Sequence, residues 1–257
     1  MSRFENLELN PEFDGEVNPR APAKDEAYYV AGARADFENA EFEQALRGFA
    51  KALEFNPHNT AAWAGQVRSL IELGEFREAL LWANKALERF PHDPELLAAK
   101  AVALARRGDL DEALAISDAS IEERGDAPYL WLARGDVLLA REESRADYCF
   151  DKALALAPGD WVVAWLAARI RHYYRQFVAA INLLQQAIEW NTTHFLLWLE
   201  LGRCQLALGL AGPAERSFHQ ARQLNPHCSE AASGAGRAAS TGWWARGSGW
   251  WRRIFHA

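Results

Sequence analysis

The feature that most constrains this chain is a repeat of 34 residues that closes on proline. The segments KALEFNP (51–57), KALERFP (85–91), KALALAP (152–158) and ARQLNP (221–226) each end a helical pattern on Pro. Pro57 and Pro91 stand 34 residues apart, and the next equivalents are Gly125, Pro158, Thr192 and Pro226, at steps of 34, 33, 34 and 34. A fixed period over six units marks a stacked array. Each unit is too small to bury its own apolar face and must cover it with its neighbours.

The same residue types recur at the same places in each unit. Small residues sit seven apart in the second helix: Ala45 and Ala52, Ala79 and Ala86, Ala113 and Ser120, Ala146 and Ala153, Ala180 and Ala187, Ala214 and Ala221. That spacing keeps them on one helix face, where two helices approach closely. A large residue opens the first helix at Tyr29, Trp63, Leu97, Trp131 and Trp198. Gly74, Gly108 and Gly209 fall where a left-handed residue ends a helix, and Asp93-Pro94 and Asp160 are N-capping signals.

TAAWAGQVRSLIELGEFREALLWANKALERFP (60–91) and FLLWLELGRCQLALGLAGPAERSFHQARQLNP (195–226) carry this pattern most fully, and it resembles the tetratricopeptide repeat. The resemblance covers residues 25–226 and implies an all-α, right-handed α-solenoid of six helix-turn-helix repeats. Two units depart from the pattern: the fourth has lost one residue around REES (141–144), and the fifth has Ala164 at the large position with Trp165 displaced by one. Residues 1–24 are expected to be an acidic extended arm. Residues 227–240 are expected to form a capping helix and 241–257 a tryptophan- and arginine-rich tail.

Chemistry is poorly represented. Cys149, Cys204 and Cys228 are too scattered for a disulfide framework or a metal site. His58, His92 and His227 each follow a closing proline, a turn position. SGAGR (233–237) lacks the strand and third glycine of a dinucleotide loop. The expectation is a protein that binds and does not catalyse, with no metal, cofactor or small-molecule substrate. No leader-like segment and no apolar run of about 18 residues is found, so a cytoplasmic protein is expected. The net charge of −7 disfavours nucleic acid as a partner. The tail runs against that charge, with Arg246, Arg252 and Arg253 and no acid.

The resemblance also implies where a partner sits. Positions two, five, nine and twelve of each first helix face a concave groove, and position nine reads Arg34, Arg68, Val102, Asp136, Arg169 and Arg203. Guanidinium forks in a groove suit carboxylates of an acidic peptide or protein surface; the alternative is that these are solvated charges offsetting an acidic body. Trp165, Arg169, His172 and Tyr173 of the fifth repeat, with Leu199 and Arg203 of the sixth, make the preferred partner surface. Reversing Arg169 and Arg203 to Glu is expected to abolish binding there. Family members that clamp a chaperone's terminal carboxylate use Lys at position five and Asn at position nine; this chain has Val30 and Arg34, then Ala64 and Arg68.

The tail, TGWWARGSGWWRRIFHA, places Trp243, Trp244, Trp250, Trp251 and Phe255 beside Arg246, Arg252 and Arg253. Such a segment either touches a membrane or partner, or packs on its own solenoid. An acidic-partner groove with a membrane-seeking tail describes a peripheral membrane adaptor on the cytoplasmic face. It also resembles bacterial kinesin-light-chain-like repeat proteins, which connect tubulin-like filaments to membranes, although the 34-residue period differs from that of eukaryotic kinesin light chains. The competing expectation is a chaperone or assembly factor for a secretion or envelope complex.

Overall fold

A computed structural model describes residues 24–123 and 125–240 of the chain. Twelve helices pair into six repeats: α1 (Glu26–Glu38) with α2 (Phe42–Phe55), α3 (Thr60–Glu72) with α4 (Phe76–Leu87), α5 (Pro94–Arg107) with α6 (Leu110–Glu123), α7 (Pro128–Ala140) with α8 (Ala146–Leu156), α9 (Trp161–Tyr173) with α10 (Phe177–Trp190), and α11 (Phe195–Ala207) with α12 (Ala211–Leu224). A further helix, α13 (229–240), follows. No strand occurs among the described residues, so the all-α helical-repeat fold expected from the period is the one observed. The chain divides into two compact units, one ending at Leu156 and the other starting at Ala157. The first holds α1–α8 and the second α9–α13.

Every repeat turns between its helices in the same way. One residue per turn takes a positive φ: Ala40, Gly74, Gly108, Glu142, Arg175 and Gly209. The next residue's N–H then reaches back five residues, as in Glu75 to Leu70 O (2.9 Å), Glu143 to Leu138 O (2.9 Å) and Leu210 to Gln205 O (2.9 Å). These bonds satisfy carbonyls that the helix end leaves open. Three turns do this with a residue that carries a Cβ, at a cost of about 1 kcal/mol each relative to glycine. Ala40→Gly is therefore expected to raise stability by about 1 kcal/mol. A higher midpoint in urea denaturation checks it; an unchanged or lower midpoint would count against this view of the turn.

The first helices start on side-chain caps where the sequence supplies them. Asp25, Asn59, Asp93 and Asp160 accept from the backbone N–H of Tyr28, Ala62, Leu96 and Val162. The large opening residue has a structural task as well. The indole N–H of Trp63, Trp131 and Trp198 donates to the carbonyl six residues earlier, on Pro57 (3.0 Å), Gly125 (2.8 Å) and Thr192 (3.0 Å). Each tryptophan thereby fastens its helix to the closing residue of the preceding repeat, which accounts for its recurrence without a ligand. The one-residue deletion of the fourth repeat falls between Glu142, which keeps the turn conformation, and Ala146, where the shortened, 11-residue α8 begins.

Three phenylalanines in the second helices pack where a neighbour gives way. Phe49, Phe150 and Phe218 are buried, and each meets a glycine: Gly65, Gly135, and both Gly202 and Gly234. A Cβ built on any of these glycines would lie 2.5–2.8 Å from the ring. Phe218 thus packs α13 against the sixth repeat.

Candidate functional site

In the first unit, position nine runs from open to closed. Arg34 is exposed on α1, Arg68 is half-buried on α3, and Val102 and Asp136 are buried. The Arg68 guanidinium stands over two rings, 5.1 Å from the centre of Phe37 and 4.0 Å from that of Tyr129. These rings come from the first and fourth repeats, so the side chain is gripped across the inner face of the unit. Such contacts contribute about 0.5–2 kcal/mol each and fix the orientation of the charge. Arg68 makes no hydrogen bond or ion pair with any other described residue, and the same is true of Arg34. The aromatic rings hold the cation in place and, among the described residues, leave its N–H groups free of acceptors.

Tyr129 adds a donor. Burial raises its hydroxyl well above the ordinary phenol value, against the lowering effect of Arg68, and Glu95, Asp136 and Glu72 act in the same upward direction. It therefore stays protonated. Asp136 is held by Arg106, whose Nη2 lies 2.6 Å and Nε 3.1 Å from Oδ2; the two side chains are 1% and 6% exposed, in that order.

The second unit handles its arginines differently. Arg169 Nη1 donates to Glu200 Oε1 at 2.8 Å, and Arg203 Nη1 donates to the same oxygen at 3.0 Å. Arg203 Nε reaches Glu230 Oε1 on α13, also at 3.0 Å. Glu200 is buried, so a chain of alternating charge links α9, α11 and α13. Arg169 also stands 5.3 Å over the ring of Trp165. Trp165 and Leu199, expected to be contact residues, are 0% and 2% exposed and belong to the core. Burial lowers the pKa of His172 below its ordinary value, an effect that Glu200 opposes and Arg203 and Arg169 support. Tyr173 is exposed and packs edge-on against Tyr174, 5.0 Å between ring centres.

The eight groove residues named from sequence fall in both units and differ in burial and partners. Arg34 and Arg68 lie on α1 and α3 of the first unit, with no acceptor among the described residues. Arg169 and Arg203 belong to an ion-pair network in the second, and His172 packs edge-on against Phe177. Phe37, Tyr129, Glu200 and Glu230 were missed. Glu200 had a legible signal, a single acid inside the apolar run FLLWLELG. The tail residues Trp243, Trp244, Arg246, Trp250, Trp251, Arg252, Arg253 and Phe255 lie outside the described residues. Among the described residues, no group of three His, Cys, Asp or Glu side chains is placed to hold a metal ion, and no helix is long and apolar enough to cross a membrane.

Helix pairs stacked one on the next within each unit define a helical-repeat scaffold. Within that class, the tetratricopeptide repeat family matches residues 36–102 and 174–238, and the chain belongs to it. Proteins of this family mediate protein–protein interaction. A thermophilic TPR protein of Thermus thermophilus is 21% identical with a TM-score of 0.55, over 70% of this chain and 99% of its own. A tetratricopeptide repeat protein from Parabacteroides merdae is 16% identical with a TM-score of 0.53, over 86% and 87%. A chain of the APC/C hetero-tetramer Cut9-Hcn1 is 18% identical with a TM-score of 0.52; 84% of this chain matches 43% of that one. These likenesses concern the fold. No curated protein matches the chain.

Proposed function

We propose that this protein is an adaptor whose first unit holds an acidic segment of a protein partner at Arg34 and Arg68, while its C-terminal part contacts a membrane. The observation that carries the partner reading is the Arg68 guanidinium, fixed over Phe37 and Tyr129 and bonded to no acceptor among the described residues. A fork held in this way loses little freedom when it binds a carboxylate in bidentate fashion. The Tyr129 hydroxyl supplies a neutral donor to the same ligand. The second unit's arginines already have carboxylates of their own, which moves the partner surface from the fifth and sixth repeats to the first and second. The competing reading, a chaperone with an adaptable apolar groove, loses support from the burial of Leu196 and Leu199.

Charge reversal separates the two surfaces. Arg34→Glu with Arg68→Glu is expected to reduce capture of the partner from cell extract at least about tenfold, because each lost bidentate contact to a charged group contributes about 1.5–3 kcal/mol. The fold should survive, since both side chains reach solvent. Capture at the wild-type level by this double variant would rule out the Arg34–Arg68 face. The same reversal at Arg169 and Arg203 is not equivalent, because it sets two more carboxylates beside Glu200 and Glu230 and acts on folding first.

A further inference from the structure

The division at Leu156 also divides the charge. Residues 1–156 carry 18 basic and 30 acidic side chains, a formal −12, whereas residues 157–257 carry ten arginines, no lysine and five acids, a formal +5. The excess positive charge belongs to the whole second unit and not to the tail alone. It coincides with a change along one edge. The turns inside the first four repeats each contain an acid, at Glu41, Glu75, Asp109, and Glu142 with Glu143. The equivalent turns of the fifth and sixth repeats contain none and read Tyr174-Arg175-Gln176 and Leu208-Gly209-Leu210. Around them Tyr173, Val178, Leu208 and Leu210 are exposed, four of the eight large apolar side chains that are exposed among the described residues. Arg175 is exposed between them.

We infer that this turn edge of the second unit is a docking face for an anionic lipid surface. The inference rests on the membrane part of the function proposed above and assigns that contact to residues of the folded body. Aromatic and aliphatic side chains interspersed with arginine, on a unit of net positive charge, have the composition that favours the boundary between headgroups and acyl chains. Topology supplies continuity. α13 stacks on the sixth repeat as a first helix does, with Glu230 at its second position bound to Arg203 and Gly234 against Phe218. It therefore runs parallel to α11 and ends, at Ser240, on the edge that carries Leu208 and Leu210. The chain continues from there into its Trp- and Arg-rich segment. Lipid is favoured over an acidic protein because the exposed side chains at and beside these two turns are mostly apolar.

The repeat supplies its own test variants. Val178 and Leu210 occupy the places that Glu43 and Glu41 hold in the first repeat, so Val178→Glu with Leu210→Glu installs residues this fold already accepts there. Full-length wild type, this variant, and a full-length variant with Trp243, Trp244, Trp250 and Trp251 changed to Ser would be sedimented with two vesicle preparations. One is pure phosphatidylcholine, the other equal parts phosphatidylserine and phosphatidylcholine. Wild type is expected to pellet with the mixed vesicles and to be released by salt. The Val178/Leu210 variant is expected to partition at least about tenfold more weakly, through lost apolar burial and added negative charge. Binding by that variant at the wild-type level overturns the edge, and loss in the tail variant alone then assigns the membrane contact to the tail. If wild type pellets with neither preparation, edge and tail contacts both fall, whereas the Arg34–Arg68 reading is judged separately by partner capture.

Discussion

Asp136→Ala is expected to destabilise the first unit by about 3–5 kcal/mol, the largest single effect in the chain. Asp136 and Arg106 are both almost wholly enclosed and share a two-pronged contact between the third and fourth repeats. Two charges withdrawn from water are tolerable only while each neutralises the other. Removing the carboxylate leaves the Arg106 guanidinium buried without that partner. Replacing the pair together, Arg106→Met with Asp136→Leu, is expected to recover most of the loss, because apolar groups of similar volume need no partner. Urea denaturation of the three proteins reads this out. A single variant within about 1 kcal/mol of wild type would mean that the pair behaves as a surface contact.

Glu200→Ala is expected to cost about 2–4 kcal/mol and to loosen α13, as judged by faster amide exchange over residues 229–240. Its carboxylate accepts from Arg169 and Arg203, and Arg203 passes the interaction on to Glu230. Without it, two guanidiniums face each other on α9 and α11. The cost is smaller than at Asp136 because the arginine side chains are 19% and 29% exposed and water partly compensates them. Glu200→Gln, which keeps an acceptor but not the charge, should fall between. A Gln variant as stable as wild type would assign the effect to packing and not to charge.

What could be read from the sequence was whatever leaves a periodic trace. The 34-residue spacing fixed the helix pairs, Asp93 and Asp160 marked helix starts, and Gly74, Gly108 and Gly209 marked the turns. The remaining turns were hidden because Ala40, Glu142 and Arg175 adopt the same conformation without the residue type that advertises it. Side-chain pairing was hidden for another reason. Position nine looks alike at Arg68 and Arg203, yet one stands over Phe37 and Tyr129 and the other is bound by Glu200 and Glu230. Most of those partners come from other repeats, and no local pattern links them. Charge asymmetry was visible in the tail, but its true extent required the division at Leu156.

The central claim is that the partner lies on the inner face of the first unit. Ala61 is exposed at the second position of α3, one of the two repeats that carry the uncommitted arginines, and Leu206 holds the twelfth position of α11 in the second unit. A photo-crosslinking amino acid placed at each in turn, in otherwise wild-type protein and in the Arg68→Glu background, tests the claim directly. The expected result is a partner adduct from position 61 that disappears with Arg68→Glu, and none from position 206. Adducts from position 206 alone, unaffected by Arg68→Glu, would contradict it.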